Sequence, residues 1–284
     1  MTSMGMRAGM AAMLLAVLVM AGCGPEKPQS SGEPARTRAI IIAAAPELND
    51  PLQEIKMGLE SDDTSLALSF VFGGPDELLR KLDSGAAFDL LLLGPAVTDG
   101  PWKPGLFIDP PTLLAGDPIV LVTSLHFPDS GATLDSMARG RFASMAVIDE
   151  RLPAGALAAR ALLHHGLPDS LRGRVIVAAT PREAIDMIAT GRAAAALVPS
   201  SEARRFEGRV RVLDTAFSGA PSGTGGLALM QMGYYASVPG SARDTTTARR
   251  LLELLLSPVV QKVFTHYGFS GAADTPAPAP QTHN

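Results

Sequence analysis

The residues that could do chemistry are few, and they recur in one context. Pro46-Glu47, Pro75-Asp76-Glu77 and Pro181-Arg182-Glu183 each open a helical pattern just after an apolar run. Proline at the first helical position and acids in the first turn mark a helix N-terminus. At the carboxyl end of a strand, such a terminus offers N–H groups and a positive dipole end to a ligand. Groups that would make or break bonds are not arranged for it. His126, His164, His165, His266 and His283 have no partner at metal-ligand spacing. His164-His165 precedes Gly166 at a helix end, where a cation is favoured on dipole grounds. Nucleophile-elbow, phosphate-loop and dinucleotide-glycine motifs are all missing. Gly223-Thr224-Gly225-Gly226 follows no strand directly and reads as a hinge. No nucleophile–base pair, cofactor motif or metal-ligand set can be assigned from these residues, and an enzyme would need catalytic partners distant in sequence.

The elements that must hold these turns follow from periodicity. Ile40-Ile41-Ile42-Ala43-Ala44-Ala45 is a buried parallel strand that feeds a helix through Pro46-Glu47-Leu48, so Ala45 to Leu48 should wall a site. Leu52, Ile55 and Leu59 have helical spacing within residues 50–60. A strand over 66–72 breaks at Gly73-Gly74-Pro75. A helix then runs to Gly85, and a third buried strand occupies 88–93. This β-α-β-α-β order implies a parallel sheet. Residues 94–111 form a Pro- and Gly-rich loop around the single tryptophan, Trp102. Further strands are predicted over 117–124, 143–148, 174–178, 193–198 and 227–237. Helices follow Pro153 and Pro181 and cover 249–256 and 258–267. Residues 219–226 look like a crossing between lobes.

The 284 residues are 46% hydrophobic, enough for one large domain or two lobes. A net charge of -4 with scattered Lys and Arg gives no footprint for nucleic acid. Arg7 precedes an apolar run from Ala11 to Ala21, too short to span a membrane. The run ends Met20-Ala21-Gly22-Cys23, which resembles a bacterial lipobox. That resemblance implies a signal peptide over 1–22, cleavage before Cys23 and lipid attachment to its sulfur. As the only cysteine, Cys23 leaves no disulfide within the chain. Residues 24–37 are polar and Pro/Gly/Ser-rich, so residues 23–37 read as the lipidated cysteine and a flexible tether. Residues 271–284 contain Pro-Ala-Pro-Ala-Pro and read as a disordered tail.

In this order the motifs resemble the periplasmic molybdate-binding proteins of bacterial ABC importers, across nearly the whole folded region. The matching pieces include Ala43-Ala44-Ala45, Phe72-Gly73-Gly74, Gly85-Ala86-Ala87-Phe88-Asp89-Leu90, Leu152-Pro153-Ala154-Gly155-Ala156 and Gly191-Arg192-Ala193-Ala194-Ala195. The most specific is Leu254 to Phe264 with Tyr267-Gly268-Phe269. The resemblance implies an α/β, two-lobed periplasmic-binding-protein fold, each lobe a mainly parallel sheet flanked by helices. Lobe 1 would be 38–118 plus 225–270 and lobe 2 would be 119–224, closing on a ligand by hinge motion. It further implies an ABC permease as partner, a monomer, and a lipid-anchored location facing the periplasm or the outside of the cytoplasmic membrane. The ligand by family would be molybdate or tungstate.

Where the family carries neutral oxyanion donors, this sequence departs. The matching positions are Pro46, Pro75, Ala154, Pro181 and Pro199, so four of five are proline. Proline has neither an N–H nor a side-chain donor. Each hydrogen bond to a charged group is worth roughly 1.5–3 kcal/mol, and each 1.4 kcal/mol is about tenfold in affinity. Acids stand beside the prolines: Glu47, Asp76, Glu77 and Glu183. These acids read either as ordinary helix N-terminal residues facing solvent or as the lining of a cleft that repels anions and takes a neutral or cationic ligand. An alternative is a sensory or interaction lipoprotein that kept the scaffold and lost oxyanion binding.

Overall fold

A computed structural model describes residues 39–95, 106–128, 133–134, 142–164, 173–215 and 231–272. The lipobox, Trp102, the hinge glycines and residues 273–284 lie outside these segments. The apolar run 39–44 forms β1 (Ala39–Ala44), the middle of three parallel strands with β2 (Ala67–Phe72) and β3 (Leu90–Leu93). Ile42, Ala43 and Ala44 are buried, as are all four leucines of β3. A strand covered on both faces can be continuously apolar, which is why these runs do not alternate. Helix α1 (Asn49–Asp62) buries Leu52 and Ile55 against this sheet. Helix α2 (Pro75–Asp83) buries Leu78, Leu79 and Leu82 in a second cluster with Ala43, Leu91 and Leu93. Each such leucine contributes about 1.5–3 kcal/mol through burial.

The strand that organises the rest is β4 (Thr112–Ser124). Thr112 to Pro118 pair antiparallel with β9 (Gln231–Ser237), which in turn pairs antiparallel with β3. From Ile119 the partner changes. Ile119 to Thr123 pair with β7 (Ala195–Pro199), and Val120 to Ser124 pair on the other side with β8 (Val210–Thr215). Beyond β7, β5 (Met145–Ile148) and β6 (Val175–Ala178) continue as parallel strands. The order is β2-β1-β3-β9-β4-β7-β5-β6, with β8 and β10 (Ser270–Gly271) on β4's free sides. Helices α3 (Pro153–His164), α4 (Pro181–Ala189) and α5 (Ser200–Arg205) serve the β5–β8 half. Helices α6 (Thr245–Leu255) and α7 (Pro258–His266) return the chain to the first half.

The sheet is more mixed than the β-α-β reading implied. Each half has three parallel strands, but β9, β4, β8 and β10 run antiparallel to their partners. Strand β4 starts five residues before the predicted 117. A register shift between Leu113 and Ala115 lets it continue through residues that look like loop. Helix α5 and strand β8 were not predicted. The former is six residues long, and the latter is half exposed, with Val212 at its surface. The ordered chain also enters the segment read as tail. Gly271 pairs with Ala115, and the Ala272 N–H donates to Gln261 Oε1 at 2.7 Å.

Candidate ligand cleft

The strand ends are held level by backbone hydrogen bonds. The Ala45 N–H donates to Leu92 O at 2.8 Å, and the Gly73 N–H donates to Ala44 O at 3.1 Å. Between none and five residues past these strand ends the chain turns on a proline. Pro46 opens a 3-10 turn, Pro75, Pro153 and Pro181 open α2, α3 and α4, and Pro199 precedes α5. Close packing is needed to bring α3 in. A Cβ on Gly155 would lie 2.0 Å from Asp149 O, so only glycine lets this helix start against the β5 turn. Likewise a Cβ on Gly94 would meet a Tyr234 ring carbon at 3.1 Å and the Ala45 Cβ at 3.3 Å.

These turns surround a cavity of about 330 Å³. Pro46, Pro75, Ala154, Pro181 and Pro199 all line it, and so do the acids Glu47 and Asp76. Residues spread over more than 150 positions of sequence thus meet in one place. Glu77 and Glu183 do other work. Glu77 pairs with Lys81 one turn on, at 2.7 Å, and a Glu183 carboxylate oxygen accepts the Ala179 N–H at 2.8 Å. Cys23 lies outside the described residues.

Four polar members of the cavity escaped the sequence reading: Asp117, Ser201, Glu202 and Tyr234. Asp117 lies on β4 next to the point where its partners change, and it is fully buried. Its Oδ1 accepts the Ser201 N–H at 3.1 Å, and its Oδ2 accepts the Ser201 hydroxyl at 2.5 Å. Burial pushes its carboxyl up to about 7, against the lowering pull of Ser201 and the Ser200 N–H, with Glu47 adding to the rise. The available signal was an acid inside the otherwise apolar run from Leu113 to Val122.

Tyr234, on β9, packs edge-on to Phe269 at 5.5 Å. Burial pushes its hydroxyl well above the usual range, and the charges of Asp117 and Glu47 push it the same way. It therefore stays protonated. A tyrosine is present in the cleft after all, supplied by the first half of the sheet rather than by the end of β7. Glu202 is raised by burial, with Arg205 and Arg182 pulling it back.

The balance of charge decides what the cavity can hold. Each of the longer helices α2, α3 and α4 directs an N-terminus at it, worth about half a positive charge apiece. Glu47 and Asp76 alone offset that sum, and Asp117 and Glu202 add to it when ionised. Among the described residues no Lys, Arg or His lines the cavity. The nearby cations are engaged elsewhere. Arg205 pairs with Asp50 at 2.9 Å, Arg182 lies over the Phe206 ring, and Arg151 forks onto Asp149. Also among the described residues, no group of three His, Cys, Asp or Glu side chains is placed to hold a metal ion.

An α/β scaffold in two halves, with helix starts gathered around one cavity between them, is the architecture of a periplasmic-type binding protein. Comparison with known proteins narrows this. Residues 40–270 match the model of the bacterial extracellular solute-binding proteins, and the chain belongs to that family. It is a family of binding proteins rather than enzymes, in line with the sequence reading. One relative is YvgL of Bacillus subtilis (strain 168), assigned as an ABC transporter substrate-binding lipoprotein. It is 24% identical over 265 residues, covering 91% of this chain and 96% of its own. Among solved structures, a substrate binding domain assigned to a molybdenum ABC transporter from Clostridium difficile superposes with a TM-score of 0.71 at 21% identity. The match covers 82% of this chain and 98% of that one. The Azotobacter vinelandii periplasmic molybdate-binding protein gives 0.58 at 14% identity, covering 81% and 98%. These likenesses carry the fold.

Proposed function

We propose that this protein is the substrate-binding component of an ABC importer. It is held outside the cytoplasmic membrane by lipid on Cys23, works as a monomer and delivers a small ligand to a permease. Capture is by closure of the lobe formed by 38–118 and 225–270 on the lobe formed by 119–224. The change of partners along β4 between Pro118 and Ile119 gives such a motion a natural pivot. The relative YvgL, assigned as a substrate-binding lipoprotein of an ABC transporter, supports the transport role and the anchor.

The ligand on this reading is not molybdate or tungstate. One observation carries that part. The five positions that match the family's oxyanion shell line one cavity, and four of them are prolines with no donor to give. Calorimetric titration of the full chain in detergent with molybdate and tungstate tests it. No heat of binding is expected at micromolar anion, and submicromolar affinity would overturn the reading.

A further inference from the structure

The cavity contains one polar group whose placement narrows the ligand further. Asp117 is 0% exposed, yet it lines the cavity, and both its oxygens are already tied to Ser201. Through Oδ1 the carboxyl takes up the Ser201 N–H at the start of α5, and through Oδ2 it takes up the Ser201 hydroxyl. These are the donors an incoming anion would need from this wall. A protein carboxylate therefore stands where a ligand carboxylate or oxyanion could have stood. With no exposed surface of its own, Asp117 acts on a ligand through its charge and through the donors it has taken. Around it the charge is of one sign: Glu47, Asp76 and Glu202 also line the space, with no basic side chain among the described lining residues. The remaining walls are proline, alanine, Met232 and the ring of Tyr234, which suit carbon rather than a hydrated ion.

We propose that Asp117 sets the ligand class of this cleft, making it a site for a small organic ammonium compound and closing it to oxyanions. The inference rests on the cavity being the solute site. In it the ammonium group pairs with Glu47 and Asp76, Asp117 acts on it through its charge from just behind the cavity wall, and the alkyl part lies against the prolines. A tetrahedral anion meets instead a buried carboxyl that has already taken the donors of α5.

Calorimetry on the full chain in detergent tests this with five probes: ethanolamine, choline, putrescine, molybdate and sulfate. At least one ammonium probe should bind the wild type, and neither anion should. At pH 8, where Asp117 is ionised, Asp117→Asn keeps the shape and a hydrogen-bonding partner for Ser201 while removing the charge. It should weaken ammonium binding by about 10-fold or more, as expected when a charge a few ångströms behind the wall is removed at an effective dielectric of about 20. Glu47→Gln, a more exposed change, guards against misfolding of the first variant and should weaken binding by a smaller factor. Ammonium affinity unchanged in both variants, or no ammonium probe bound, overturns the proposal. A wild type that binds an anion also overturns it, and leaves the solute-binding reading standing. That broader reading fails separately, if native mass spectrometry of protein from its own host finds the cleft empty.

Discussion

Asp117 is the residue whose chemistry most depends on its place. In an unfolded chain its carboxyl titrates near 3.8, and in the fold burial lifts it to about 7. A raised acid means that the native state holds a proton the unfolded state has lost, so stability falls as pH rises between those values. Asp117→Asn removes this dependence. Urea unfolding at pH 5 and pH 8 should show the wild type losing about 2.5 kcal/mol that the variant keeps, the two pH units between pH 5 and about 7 at about 1.36 kcal/mol each. Equal slopes in the two proteins would mean that Asp117 is already ionised in the native state across this range, held by the hydrogen bonds from Ser201 against Glu47, Glu202 and Tyr234, none of which brings a positive charge. At this scale the sequence was partly legible. The proline positions came from the family resemblance, and Pro46, Pro75 and Pro181, with the acids Glu47 and Asp76, also carry the local mark of a helix start. Ser201 and Tyr234 carry no such mark, because nothing in their neighbours says which cavity they will reach.

The helices that reach the cleft are set by local rules, and these can be broken one at a time. Helix α4 starts with a reciprocal cap. The Thr180 hydroxyl oxygen accepts the Glu183 N–H at 3.1 Å, while the Glu183 carboxylate accepts the Ala179 N–H at 2.8 Å. Thr180→Ala should lower stability by about 1 kcal/mol. The loss should be visible as a lower urea midpoint with an unchanged slope. Because Pro181 follows directly, fraying there should also loosen one wall of the cavity. Helix existence and starts were legible for this reason: caps, prolines and apolar spacing lie within a few residues of each other. The short α5 was not, since six residues give no period to read. Strand β4 was read only from Asp117 because its first half, Thr-Leu-Leu-Ala-Gly, becomes a strand through pairing with β9, more than 100 residues later.

The whole molecule is closed by contacts between its ends. Asp89 at the base of β3 accepts from the Ile41 N–H at 2.9 Å and from Arg243 Nη2 at 2.6 Å, which joins strands near the N-terminus to the returning C-terminal segment. Burial alone would raise Asp89. The hydrogen bonds from Arg243 and the Ile41 N–H outweigh it and hold the carboxyl below the usual range. Arg243→Ala strands this acid. A fully buried pair costs about 3–5 kcal/mol to break, and since 36% of the Arg243 side chain is exposed, about 2–3 kcal/mol is expected by urea unfolding at pH 7. A lowered acid stabilises above its unfolded pKa and loses that contribution as pH falls. The gap between wild type and variant should therefore shrink below about pH 4. By itself, the sequence determined what short-range physics can determine. Apolar runs set the strands, proline and acids set the helix starts, and their order set an α/β scaffold in two parts. Only the tertiary structure decided that β4 is shared between both halves and that its one buried acid meets Ser201 in the cleft. Burial of Asp117 is a property of everything packed around it, contributed by segments up to 117 residues away in the chain as far as Tyr234. No window of sequence contains that environment.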